Sequence, residues 1–188
     1  MQELKLLVVL LSMLLAAFGV TDPPKDLQLP DLLPTPPKPT AVLGDQSTMQ
    51  PAQVVRVVDG DTIRVSLNNT QETIRLIGIN TPESVDPRRE VECFGKEASD
   101  KLKGLITGKA VLLEDDKSQA DRDRYDRLLR YVWLDGVNMN KVMIAEGFAY
   151  EYTYDLPYKY QAEFIAAQTE AQRLKVGLWN EATCGGNR

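Results

Sequence analysis

From residue 54 onward, apolar and polar positions alternate in short runs: VVRVV at 54–58, TIRVSL at 62–67 and TIRLIGI at 73–79. Alternation with a period of two, bounded by turn residues, predicts half-buried strands. Asp59-Gly60 and the NNTQ stretch at 68–71 supply the breaks that fold these strands into a meander. The rhythm then lengthens. Over 93–106, Ala98, Leu102, Leu105 and Ile106 recur at helical spacing up to Gly108, which predicts an amphipathic helix. Strand signals return at 110–114 and 128–134, with Asp135-Gly136 as a turn, and further helical stretches cover 140–146 and 158–174. Five short strands with a helix after the third predict an α+β, mainly β, fold: a five-stranded OB-fold barrel with three packed helices, not a parallel βαβ sheet.

The chain before this pattern reads differently. Lys5 precedes an apolar run at 6–20, with the small residues Ala17 and Gly19 near its end, as in a cleavable export signal. The run is shorter than the ~20 residues that span a bilayer, so a signal peptide at 1–19 is expected, with an N-terminal anchor as the alternative. Residues 20–50 are dense in proline and poor in large apolar residues, which predicts a disordered linker ahead of a domain at 51–188. The expected location is secreted or extracytoplasmic, with membrane contact only if the N-terminal segment stays in place. In an oxidising compartment the two cysteines, Cys93 and Cys184, most simply form one disulfide.

Composition narrows the chemistry. The 188 residues include no histidine, which removes Ser-His-Asp triads, Cys-His dyads and His-ligated zinc. Proton transfer then falls to carboxylates, lysine or tyrosine, and any metal is a hard cation held by oxygen. The formal charge of −5 means that phosphate binding must be local rather than a property of the whole surface.

Three segments carry candidate chemistry. Asp59-Gly60-Asp61-Thr62 reads as a hairpin turn, but Asp61 is a carboxylate more than a turn requires. RLIGINTPE, 75–83, begins with a guanidinium and ends in polar groups. The Asn80 side-chain oxygen, the Thr81 carbonyl or hydroxyl and the Glu83 carboxylate are oxygen donors of the kind that suit calcium. The third segment, DRDRYDR at 121–127, alternates charge like a solvated loop. It fails as an EF-hand because Asp126 stands where that loop demands glycine. Its Arg127 can join Arg75 as a forked donor for phosphate oxygens.

Taken singly these segments are a turn, a strand end and a loop. Together, in this order, they resemble the staphylococcal nuclease (thermonuclease) family over about residues 54–179. The resemblance also takes in the Phe94-Gly95-Lys96-Glu97-Ala98 helix start and the closing Gly177-Leu178-Trp179.

The resemblance implies an OB barrel that binds single-stranded or melted DNA and RNA and hydrolyses phosphodiesters with one bound Ca2+, leaving 3'-phosphates. By position, Asp61 looks like a calcium ligand, Thr81 like a ligand through its carbonyl, Glu83 like the group that orients or deprotonates the attacking water, and Arg75 and Arg127 like the transition-state clamp. The family commonly has an aspartate where this chain has Asn80; Asn80 still offers an oxygen ligand but removes one negative charge. Arg89 and Tyr125 resemble nucleotide-contacting residues, and Tyr152 or Tyr154 is a candidate for base stacking. No obligatory protein partner is implied, and a monomer is expected. Two other readings compete with the nuclease: a non-catalytic OB module that binds oligonucleotides or another polyanion, and a calcium-stabilised structural domain. Asn68-Asn69-Thr70 matches a glycosylation sequon, relevant only in a eukaryotic secretory route.

Overall fold

One bent strand turns the sheet into a barrel. In the computed structural model, which describes residues 49–84 and 90–187, β1 (Gln50–Asp59) pairs antiparallel through residues 50–53 with β5 (Ala110–Glu114). Its later residues pair with β2 (Thr62–Leu67), and the register slips between Val54 and Arg56 and between Val57 and Asp59. Such bulges bend a strand, so one segment can serve two walls of a closed sheet. β2 passes into β3 (Thr70–Leu76) through Asn68 and Asn69. Their φ values of 50° and 62° suit a tight hairpin turn and belong to a residue type that tolerates this region.

Closure comes from β3 lying parallel to β6 (Leu128–Leu134), with Ile74 opposite Leu128 and Leu76 opposite Arg130. The order β3-β2-β1-β5-β6 therefore returns on itself, giving the five-stranded mixed barrel expected from the sequence. A short β7 (Val137–Asn138) extends β6, and β4 (Ile79–Asn80) pairs with β8 (Tyr150–Glu151) outside the barrel. Inward-facing Ile63, Val65, Ile74, Leu76 and Leu113 are essentially inaccessible to water, as are Ala98, Leu102 and Ile106 of α1 (Gly95–Ile106). Helices α2 (Met139–Ala145) and α3 (Gln161–Leu174) complete the core through Met143, Ile144 and Phe164.

Three boundaries differ from the sequence reading, each for a local reason. The strand expected to run to residue 79 stops at Leu76. Gly78 takes a φ of 76°, and a Cβ there would lie 2.5 Å from the Tyr158 ring, so the chain reverses where only glycine fits. The helix expected from residue 93 starts at Gly95 because Phe94 has a φ of 69°. α3 starts at Gln161 rather than 158, because Tyr158 is a buried side chain whose hydroxyl donates to the Glu151 carboxylate at 2.9 Å and lies 3.3 Å from the Gly78 carbonyl oxygen. The expected signal segment and nearly all of the linker lie outside the described residues. Among the described residues no helix is long and apolar enough to cross a membrane.

Two buried polar groups of the core, Asp116 and Asn140, are matched by partners. Burial pushes the Asp116 carboxyl up, but hydrogen bonds from the Lys159 amide, the Tyr131 hydroxyl and Ser118 outweigh it and leave the group below its ordinary value. Asn140, with no exposure at all, accepts from the Val132 amide at 2.9 Å and donates to the Ile77 carbonyl at 2.9 Å. It ties α2 to β6 and to the reversal beneath the cleft. Removing it strands two buried backbone groups, so Asn140→Ala is expected to lose about 3 kcal/mol of stability. Urea unfolding checks this, with the shift appearing in the midpoint rather than the slope.

The expected disulfide is present: Cys93 and Cys184 are bonded across 91 residues, with Cα atoms 6.0 Å apart. Closing a loop of that length is worth about 4.6 kcal/mol in the chain-entropy account.

Candidate active site

The turn from β1 into β2 delivers two carboxylates to one place. Asp59 is 7% exposed, and its Oδ1 accepts from the Gly60 amide at 2.8 Å and from the Ser84 hydroxyl at 2.6 Å. Burial raises its pKa, and the negative charges of Asp61 and Glu83 push it further the same way, against these hydrogen bonds. Gly60 lies so close to Thr81 that a Cβ would sit 2.8 Å from its methyl carbon. Glycine therefore lets the turn press against the segment that follows β4.

Asp61, also 7% exposed, is gripped on both oxygens. Oδ1 accepts from the Thr62 hydroxyl at 2.9 Å and Oδ2 from the Thr81 amide at 3.1 Å, with Arg75 Nη2 at 3.0 Å from Oδ2. Arg75 is fixed in turn. Its Nη1 donates to the carbonyls of Leu76 and Ile79, both at 2.8 Å, and its Nη2 donates to Asn80 Oδ1 at 3.2 Å. The chain reversal at Gly78 brings those two carbonyls within reach of one guanidinium.

Glu83 follows the proline after Thr81. Its backbone is clamped to Glu92: the Glu83 amide donates to Glu92 Oε2 at 3.0 Å and the Glu92 amide to the Glu83 carbonyl at 2.9 Å. Its own Oε1 accepts from the Ser84 amide at 2.9 Å. From the opposite wall, the 121–127 loop presents Arg127, whose Nε donates to Asp123 Oδ2 at 2.7 Å and whose Nη1 lies 3.5 Å from the Thr62 hydroxyl. The Arg127 guanidinium also sits 5.2 Å from the centre of the Tyr125 ring. Arg122 anchors the loop to β3 through a two-point pair with Glu72.

These groups line one open cleft of about 810 Å3. Asp61, Arg75, Asn80, Thr81, Glu83 and Arg127 all face it, as do the tyrosines Tyr125, Tyr152 and Tyr154. Tyr154 is 74% exposed and Tyr125 64%, and the Tyr125 ring also carries the Arg124 guanidinium 4.8 Å from its centre. Arg89 lies outside the described residues. Sequence reasoning missed the supporting partners Asp59, Glu92 and Asp123. Asp59 stood in view as the first carboxylate of the Asp-Gly-Asp turn, whereas only tertiary contact identifies the other two.

The donor set fits a hard cation. Among the described residues no three His, Cys, Asp or Glu side chains form a metal cage, so a cation here draws on mixed oxygens. Asp61 and Asn80 each retain acceptor capacity beyond the bonds above. The Thr81 hydroxyl is buried with no hydrogen-bond partner, pressed against the carboxylate turn. An orphaned oxygen beside a buried carboxylate is what a bound ion or its water shell would satisfy.

Comparison with known proteins decides the family. Residues 73–181 match the family model described as staphylococcal nuclease homologue. The chain belongs to the staphylococcal nuclease family. It is 44% identical over 131 residues to the thermonuclease of Staphylococcus hyicus, an alignment covering 70% of this chain and 76% of the relative. The thermonuclease of Staphylococcus intermedius is 40% identical over 126 residues, 67% of this chain and 74% of its own length. Endonuclease YncB of Bacillus subtilis is 36% identical over 134 residues, 71% of this chain and 63% of its own length. Family membership makes the chain a homologue of thermonucleases and endonucleases, enzymes that hydrolyse phosphodiesters.

Proposed function

We propose that this member of the staphylococcal nuclease family is an exported, calcium-dependent nuclease that acts as a monomer on DNA and RNA, preferring single strands, and leaves 3'-phosphates. The observation that carries the reading is the meeting of Glu83, Asp61, Arg75 and Arg127 in one cleft, although they are distant along the chain. Export is supported by the apolar run at 6–20 and by the disulfide, which belongs to an oxidising compartment.

The geometry supports a role for each. Glu83 carries the carboxylate that orients the attacking water and takes its proton, and its backbone anchors to Glu92 keep it at a fixed height in the cleft. Arg127 and Arg75 flank the phosphate and donate to its oxygens as negative charge accumulates on them. The Asp123 and Asp61 contacts hold both guanidiniums in orientation before substrate arrives. Departure of the 5'-oxygen leaves the phosphate on the 3' side. Tyr125 contacts the nucleotide, and Tyr152 or Tyr154 offers a stacking face for a flanking base, which favours strands whose bases are unpaired.

Asp61, Asn80 and Thr81 would hold calcium, which when bound supplies positive charge to stabilise the phosphate oxygens in the transition state. Purified protein is expected to digest single-stranded DNA with added calcium, to stop with chelator and to resume when calcium is restored in excess. Mass spectrometry should find 3'-phosphate ends. Undiminished cleavage in chelator removes the cation from the mechanism. With Asn80 in place of an acidic ligand, half-maximal activity is expected at a higher calcium concentration than in an Asn80→Asp variant, because site affinity rises with ligand charge.

A further inference from the structure

Cys93 takes no part in the chemistry of the cleft, yet it stands between the residues that hold Glu83. Before it, Glu92 exchanges two hydrogen bonds with the Glu83 backbone, at 2.9 and 3.0 Å. After it, the Gly95 amide donates to the Glu92 carbonyl at 3.0 Å. Gly95 packs so tightly against Glu83 that a Cβ would lie 2.6 Å from the Glu83 carbonyl oxygen. Phe94 links the two contacts. Its φ of 69° is a conformation that side chains bearing a Cβ avoid unless their surroundings impose it.

The surroundings come from the far end of the chain. The Phe94 ring stacks on Phe148 with centroids 5.3 Å apart and packs against a small cluster formed by Tyr150, Leu178 and Cys184, with Trp179 alongside. The Tyr150 hydroxyl lies 3.2 Å from the Asn187 carbonyl oxygen and 3.3 Å from that of Gly186, so that its proton reaches one or the other, and Gly186 lies against the Trp179 ring. Cys184 joins this C-terminal turn covalently to Cys93. We propose that the Cys93–Cys184 bridge is a positioning element for Glu83: it locks the C-terminal turn onto Phe94, so that Glu92 and Gly95 keep their register on the Glu83 backbone. The catalytic consequence rests on the reading of Glu83 as the proton acceptor; the clamp itself does not.

The test removes the bridge and reads the clamp directly. In a C93A/C184A double variant, kept well below its own melting temperature, amide hydrogen exchange is expected to accelerate at least tenfold at Glu83, Glu92 and Gly95 while barrel amides such as Val132 keep their protection. In the same variant kcat for single-stranded DNA is expected to fall about tenfold and KM to stay within about twofold. Glu92→Ala is expected to reproduce this loss without touching the bridge, and Glu92→Gln, which keeps an acceptor oxygen for the Glu83 amide, to recover most of it. Unchanged exchange at Glu83 overturns the clamp whatever the activity. A lower melting temperature with kcat and KM intact reduces the bridge to a staple and equally overturns the proposal. Faster exchange at Glu83 in a protein that cleaves nothing even with its bridge intact supports the clamp and rejects the nuclease reading instead.

Discussion

Glu83→Gln is expected to lower kcat for single-stranded DNA by about 10³-fold while KM stays within about twofold. Gln keeps the length of the side chain and an oxygen that can still accept from the Ser84 amide, and the bonds to Glu92 run through the Glu83 backbone on one side of each pair. Position is therefore preserved and the ability to take a proton is lost. The loss belongs to the transition state alone, so it appears in kcat and not in binding. Single-turnover cleavage, together with binding of a labelled oligonucleotide, separates the two quantities. Lost cleavage with intact binding fits the nuclease and excludes the non-catalytic OB module. A variant that cleaves at the rate of the parent protein removes Glu83 from the reaction.

Much of the barrel was legible because its strands carry strict alternation. Ile63, Val65 and Leu67 point inward while Arg64 and Ser66 do not, and the bounds 62–67, 110–114 and 128–134 match the sequence reading. The misread boundaries fall where tertiary packing overrules local pattern. Residues 77–79 are as apolar as a strand, but the Tyr158 and Phe164 rings occupy the space a side chain at 78 would need. Phe94 suits a helix by composition, yet packing against Phe148 and the C-terminal cluster holds it left-handed. The candidate site divides along the same line. Asp61, Glu83 and Arg75 were visible because each exceeds what its local element requires: a second carboxylate in a turn, an acid after a strand-ending proline, a guanidinium on a strand; Arg127, in a charge-alternating loop, stood out only as a second fork beside Arg75. Glu92 and Asp123 were invisible because each looks like an ordinary surface acid until the fold places it beside Glu83 or Arg127. A residue that lines the cleft can betray itself by excess, whereas one that only orients another residue looks ordinary until the fold is known.

The two arginines are expected to part company when each is replaced by lysine. Arg127 is held through its side chain chiefly by Asp123, at the rim, with 27% of its surface exposed. Arg127→Lys keeps a charge but loses the planar fork that matches two phosphate oxygens. It is expected to reduce kcat by about 10²–10³-fold and to change stability by less than about 0.5 kcal/mol. Arg75 is 14% exposed and serves the fold as well. Its two terminal nitrogens satisfy the Leu76 and Ile79 carbonyls, Asn80 Oδ1 and the carboxylate of Asp61. A lysine ammonium has three protons and no fork, so Arg75→Lys leaves at least one of these acceptors wanting and slackens the grip on Asp61. It is expected to cost a similar factor in kcat together with roughly 2–3 kcal/mol of stability. Urea unfolding and single-turnover cleavage on the same preparations resolve the two contributions. Calcium dependence offers a further separation: weakening the Asp61 contact should raise the calcium concentration needed for half-maximal activity in Arg75→Lys and leave it unmoved in Arg127→Lys. Equal stability losses in the two variants, or full activity in either, would mean that the guanidiniums do not divide their work as their hydrogen bonds imply.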